Sequence, residues 1–139
     1  MAGRIGGAKT RCSGKWTEAR YRSFIKGNLR RSTMKWAPIN EALGDARTRR
    51  GYYRCAGCDE EVTASAKIGR VRKTNVHVDH INPIIDPAVG WVSWDETIER
   101  MFCEKENLQV MCTTCHDIKT NEEKEIAKAR RAEEKLNDE

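Results

Sequence analysis

The chain has 139 residues and a mass of 15.9 kDa, the size of one domain or of a small domain with arms. Lys and Arg number 26 against 21 Asp and Glu, leaving a net charge of +5, and 38% of residues are hydrophobic at a mean hydropathy of -0.77. This excludes a membrane span of about 20 apolar residues, a disulfide-stapled secreted scaffold and a collagen-like repeat. The N-terminal MAGRIGGAKTR also lacks the apolar stretch of an export signal, so a small cytoplasmic protein is expected.

The charge is uneven. Residues 1–54 carry 14 Lys and Arg with 3 Asp and Glu, a balance of +11, whereas residues 55–139 balance at -6. A basic leader ahead of an acidic remainder points to a polyanion, in the simplest case nucleic acid, or to an arm that only confers solubility. Residues 1–14, rich in Gly and basic side chains, are expected to lack order on their own. Tyr21, Phe24, Ile25 and Leu29 mark a helical stripe over residues 17–31, with Thr17 as N-cap and Trp16 stapled to Tyr21. A second helix fits residues 38–47, where Pro38 opens the first turn and Ile39, Ala42, Leu43 and Ala46 share a face.

Residues 70–81 alternate like a strand, with Val76 and Val78 set against His77 and Asp79. NPIIDPAVG is broken by Pro and Gly and reads as a loop. A helix is expected over residues 93–102, capped by Ser93 with Glu96, and a short strand over residues 108–111. Thr113 starts a helical turn, and Thr120 with Glu123 offers a fresh capping box for a charged helix over residues 121–136. Trp16, Trp36, Trp91 and Trp94 are expected to fill the core. Three segments follow: a basic, mainly helical, DNA-contacting leader (1–54), a central domain (55–120) and a charged helical tail (121–139).

Four of the six cysteines form two C-x-x-C pairs, Cys55/Cys58 and Cys112/Cys115. In a reducing compartment such pairs read as a four-thiolate structural zinc site; disulfides would need an oxidising compartment. The 53 residues between Cys58 and Cys112 exceed zinc-ribbon spacing, so a structural unit must lie between the knuckles. Cys12 and Cys103 have no partner at ligand spacing and read as ordinary thiols.

Interleaved with the knuckles are Asp79, His80, Asn107 and His116. Phosphodiester hydrolysis needs a divalent ion, a base for water and a rigid scaffold. Asp79 is a hard oxygen ligand and His80 a base that titrates near neutrality. Successive strand residues point to opposite faces, so Asp79 can face an ion while His80 faces the water. His116 follows Cys115 on a helix and turns away from it, so Cys115 can hold zinc while His116 joins the second ion. His77 shares a face with Asp79 and is read as a solvated histidine rather than an extra ligand. Arg70, Arg72, Lys73 and Lys119 are candidate DNA contacts.

The stretches VDHINPI and NLQVMCTTCHDIKT, preceded by CAGC, resemble the HNH endonucleases, in particular the zinc-stabilised subgroup of small phage-encoded, homing-type proteins. The resemblance covers residues 55 to about 120, and more weakly KWTEARYRSFIKGNLRR. It implies an α+β protein with a ββα-metal fold that cuts or nicks DNA in the host cytoplasm. His80 would be the general base, Asp79 and His116 the ligands of a catalytic Mg2+, Mn2+ or other divalent transition ion, and Asn107 the residue that ties the loop between the strands. Asp at the first motif position favours a harder ion than histidine would. Two other readings compete: a non-catalytic zinc module that binds nucleic acid, and a nuclease accessory to phage packaging proteins. A single site per chain fits either a nicking monomer or a homodimer that cuts both strands.

Overall fold

A computed structural model describes residues 7–138. Residues 1–6, part of the leader expected to lack order, lie outside the described residues. The chain is mixed α+β and divides into two compact units, Met1–Met34 and Lys35–Glu139. The boundary thus falls at residue 34, not after residue 54.

In the first unit, β1 (Lys9–Arg11) pairs antiparallel with β2 (Trp16–Thr17), so residues 9–11 of the Gly-rich leader form a strand. Helix α1 (Glu18–Ser32) follows, capped by the Thr17 hydroxyl, which accepts from the Arg20 N–H at 3.2 Å. Trp16 and Tyr21, the expected staple pair, each have another ring partner. Trp16 packs at a tilt against Phe24 with ring centroids 5.1 Å apart, and Tyr21 lies beneath the Arg11 guanidinium. Arg11 is also tied to Glu18, which orients the cation over the ring. The unit holds nine Lys and Arg against Glu18 alone, and α1 buries no residue fully.

The second unit opens with α2 (Ala37–Ala46), whose Pro38 and Ala42 are buried. It continues into a three-stranded antiparallel sheet of β3 (Arg47–Arg49), β4 (Tyr52–Arg54) and β5 (Glu61–Thr63). A two-stranded hairpin, β6 (Ser65–Ile68) and β7 (Val71–Thr74), comes next. The central pair is β8 (Val76–His80) against β9 (Leu108–Cys112), antiparallel, with Val76 opposite Cys112 and Asp79 opposite Gln109. Helix α2 packs against both strands and against β4, which is why residues 35–54 belong with the knuckle domain.

Between β8 and β9 the chain runs through the Pro-rich loop to α3 (Trp94–Met101), capped as expected by the Ser93 hydroxyl on the Glu96 N–H at 3.1 Å. Met101 and Thr97 of α3 are among the most buried side chains, together with Cys55. All four tryptophans are only half-buried, which corrects the expectation that they fill the core. Trp36 packs edge-on against Phe102 and donates its indole N–H to the Cys103 carbonyl at 2.7 Å, while Trp91 and Trp94 pack edge to face.

Helix α4 (Thr113–Asn137) is continuous. The break expected at Thr120 is absent, and residues 113–120 and 121–137 form one rod. Its second half is attached rather than free, because Arg130 donates Nε–H to the Pro87 carbonyl at 3.0 Å and pairs with Glu134. No helix among the described residues is long and apolar enough to cross a membrane.

Candidate metal centre and active site

The two knuckles meet. The Sγ atoms of Cys55, Cys58, Cys112 and Cys115 all lie within 4.8 Å of one another, a cluster that could hold a metal ion such as zinc. Cys55 comes from the turn after β4, and Cys112 and Cys115 from the junction of β9 and α4. Gly57 makes this approach possible: a Cβ there would lie 2.8 Å from the Cys115 Cβ and 3.0 Å from its sulfur. The N–H groups of Gly57 and Cys112 both point at the Cys55 sulfur at 3.3 Å, as donors do that stabilise a thiolate. Burial pushes the Cys55 thiol up, but the backbone N–H groups of Cys112, Cys58 and Gly57 outweigh it and bring its pKa down to about 6. Sharing a hydrogen bond with Cys112, together with burial and the neighbouring sulfurs, pushes Cys115 up to about 12. Such crowded thiols compete for negative charge until a cation neutralises them, so the donor set fits zinc. Cys12 is exposed and Cys103 half-buried, and both are free thiols outside the cluster.

One helical turn beyond Cys112, His116 faces Asp79 of β8. The Asp79 Oδ1 to His116 Nε2 separation is 3.8 Å, too long for a hydrogen bond. It lies within the roughly 4.2 Å spanned by two donors that each sit about 2.1 Å from one ion. Asp79 Oδ2 accepts from Gln109 Nε2 at 2.9 Å and from Lys119 Nζ at 3.0 Å. Lys119 is the surprise. Its three ammonium hydrogens match three partners, namely Asp79, Glu123 and the His80 carbonyl, so it is saturated and turned inward rather than presented to phosphate. Burial alone would lower its pKa; hydrogen bonds to Glu123 and Asp79 outweigh that and hold it above the ordinary lysine value.

His80 ends β8 and points away from Asp79. Its Nε2 lies 2.8 Å from the Met101 carbonyl. A carbonyl only accepts, so Nε2 carries the hydrogen and the lone pair of a neutral imidazole resides on Nδ1. Asn107 ties the strand ends together: its Oδ1 accepts from the Asn82 N–H at 2.9 Å and its backbone carbonyl from the Ile81 N–H at 2.8 Å.

His77 is half-buried and engaged by neighbours rather than freely solvated. Its ring stacks on that of His116 with centroids 4.8 Å apart, and Nε2 lies 2.9 Å from the Thr113 hydroxyl. That hydroxyl gives its hydrogen to the Thr74 carbonyl, so His77 Nε2–H donates to it. Burial first, then repulsion from His116, lowers the His77 pKa against a small opposing pull from Asp117, which favours a neutral platform for the His116 ring. The structure thus brings Asp79, His116 and Lys119 together, with His77 beside them and His80 at the same strand end. Arg70, Arg72 and Lys73 lie apart, on the exposed β6–β7 hairpin. Gln109 escaped sequence reasoning; its signal is the strand register that sets it opposite Asp79.

No family model, curated protein or solved structure matches the chain. What the fold and site define is a mixed α+β protein with a four-cysteine cluster suited to zinc, adjoining a small cluster of Asp, His and Lys side chains.

Proposed function

We propose that the chain is a metal-dependent endonuclease of the HNH type, with β8, β9 and the start of α4 as its ββα-metal unit and DNA as substrate. One observation carries the reading: Asp79 Oδ1 and His116 Nε2 face each other at 3.8 Å, while His80 on the same strand has its Nε2–H fixed by Met101. A non-catalytic zinc module has no need of that arrangement. Asp79 and His116 would hold the divalent ion, with water and phosphate oxygens completing its shell. When bound, that ion neutralises charge on the phosphate and on the departing 3′ oxygen.

The chain's own groups do the rest. His80 Nδ1 takes the proton from the attacking water, and the Met101 carbonyl holds the ring in the required tautomer and favours the imidazolium that forms. Asn107 fixes the turn that follows His80, so the base keeps its aim. Cys55, Cys58, Cys112 and Cys115 would hold a structural zinc that joins the helix bearing His116 to the knuckle before the strands, in place of the larger hydrophobic core that so few buried residues cannot supply.

The deciding experiment is relaxation of supercoiled plasmid by the zinc-loaded protein in Mg2+, Mn2+, Ni2+ or EDTA. Nicking that requires a divalent ion and disappears in His80→Ala supports the proposal. Absence of metal-dependent nicking, or a His80→Ala variant as active as the parent, overturns it.

A further inference from the structure

The β6–β7 hairpin is built for something that its packing does not explain. It folds back through a two-residue turn, Gly69–Arg70, with Gly69 at φ +63, the glycine-first pattern of type II′ that matches strand twist. At its tip Ile68 and Val71 face each other across the pair and are 64% and 57% exposed. Other apolar side chains of the second unit are also exposed, Val92 and Ile118 among them, but these two stand directly opposite each other at the end of a ribbon. Around them are Lys67, Arg70, Arg72 and Lys73, with no acidic residue between Ser65 and Thr74. Arg72 is braced by the Ser65 hydroxyl at 2.9 Å.

An isolated two-stranded ribbon is marginally stable in water, and this one is anchored at its base. The Asn75 N–H donates to the Ala64 carbonyl at 2.9 Å, and the Asn75 side chain donates to the Thr63 carbonyl at 3.3 Å. Thr113, the first residue of α4, donates its N–H to the Asn75 carbonyl at 3.2 Å and its hydroxyl to the Thr74 carbonyl at 3.3 Å. Thr113 is also the partner of His77. The ribbon is therefore fastened to the elements that carry Asp79 and His116.

We infer that this hairpin is a DNA-binding arm in which Lys67, Arg70, Arg72 and Lys73 contact phosphates while Ile68 and Val71 wedge against a base step and kink the duplex. The inference rests on the proposed DNA substrate and adds where and how the duplex is gripped. Ile and Val have no donor or acceptor with which to read a base edge; what they match is the apolar face of a stacked base. The flanking cations match phosphate, and a ribbon of two strands is narrow enough to enter a groove. The strand from Val71 to Asp79 at ~3.3 Å per residue limits the tip to about 26 Å from Asp79, or about eight base pairs at ~3.4 Å each. The kink therefore falls within that distance of the scissile phosphate, on one side only.

The test uses the full zinc-loaded chain and a 40-base-pair duplex labelled at both ends for energy transfer. Wild type should bind and raise transfer by bending the duplex. Ile68→Ser with Val71→Ser should bind about tenfold more weakly, lose the bend and keep the salt dependence of binding, whereas Ile68→Leu with Val71→Leu should retain the bend. Neutralising Lys67, Arg70, Arg72 and Lys73 to Gln should flatten the salt dependence. Unchanged zinc content and melting temperature show that each variant is folded. If the serine variant binds and bends like wild type while nicking persists, the wedge is refuted and the nuclease proposal stands; if wild type neither binds nor nicks DNA, the nuclease proposal falls with it. A serine variant that only changes the sedimentation of the protein from dimer to monomer overturns the inference by making the tip a contact between copies of this chain.

Discussion

Lys119 Nζ lies 3.0 Å from Asp79 Oδ2, on the carboxylate that also faces His116. The ammonium supplies the positive charge a half-buried carboxylate needs, and its hydrogen bonds to Glu123 and the His80 carbonyl hold it there. A divalent ion at Asp79 would compete with it electrostatically.

Replacing Lys119 with Met should therefore tighten Mn2+ binding at the Asp79–His116 site. A hydrogen bond to a charged group contributes about 1.5–3 kcal/mol, and ~1.4 kcal/mol is a factor of ten in affinity, so a gain of about tenfold is expected. The ion-free protein should melt at a lower temperature, since Asp79 loses its counter-charge. Calorimetric titration of the zinc-loaded variant decides it: unchanged or weaker Mn2+ affinity means that Lys119 does not compete for the site.

His80 and Asp79 occupy neighbouring positions on β8 yet should fail in different ways. His80→Ala should lower nicking by about 10²–10⁴-fold with Mn2+ affinity kept, because its ring is tied to Met101 rather than to the ligands. Asp79→Ala and His116→Ala should weaken Mn2+ binding as well. Equal loss of Mn2+ in all three variants would place His80 among the ligands.

The thiol cluster predicts a pH dependence. Cys55, drawn down to about 6, is a thiolate at pH 7.5, whereas Cys115, pushed up to about 12, still holds its proton. Because the folded Cys55 pKa is depressed, its contribution to stability is present above the ordinary thiol value and is lost as pH falls through about 6. Zinc binding displaces the remaining protons. Fewer than four should be released per zinc at pH 7.5, rising toward four near pH 5 as affinity drops. Titration in buffers of different protonation enthalpy counts them; release of four at pH 7.5 would mean that the metal-free cluster is not preformed.

What the sequence made legible was local. The caps at Thr17 and Ser93 depend on residues three positions apart and appear where expected, and the C-x-x-C pairs announce their cluster because two such pairs are a characteristic metal-ligand spacing. The sheet β3–β4–β5 and strand β6 went unforeseen. Segments such as Arg47–Arg49 and Ser65–Ile68 are too short for alternation to stand out, and their partners are chosen by tertiary packing. The Thr120–Glu123 box was a false stop, because helix formers on both sides and the Arg130 contact to Pro87 carry α4 through it. Lys119 reads from the sequence as a DNA contact, whereas the structure directs its charge inward. The Asp79 carboxylate that turns it inward becomes visible only when β8 and α4 are packed together.

Gly57 offers a direct test of the knuckle geometry. Its missing Cβ would press on the Cys115 Cβ at 2.8 Å and on the Met111 Cε at 3.1 Å. The Met111 methyl ends a flexible side chain and can shift, but the Cys115 Cβ is held by its helix and does not give way cheaply. Gly57→Ala should weaken zinc binding by about tenfold and destabilise the unit by about 1–3 kcal/mol, as overpacking does. Competition against a chromophoric chelator measures the first and thermal melting the second. An alanine variant with parental zinc affinity would show that the knuckles meet less closely than 2.8 Å implies.

The basic first unit should act through charge. With nine Lys and Arg against Glu18 alone, it should supply phosphate contacts whose counterion release steepens the salt dependence of DNA binding. Because residues 35–54 pack with the knuckle domain, the change belongs upstream of them and in the full chain: Lys9, Lys15 and Arg30 to Gln. If all three touch phosphate, the slope of log affinity against log salt should fall by about 2.7, at ~0.9 per contact, while zinc content and Mn2+ affinity stay as they were. Anisotropy titrations of a labelled duplex across a salt series give the slope. An unchanged slope would make the unit's charge a means of solubility, and the grip on DNA would then rest on the second unit alone.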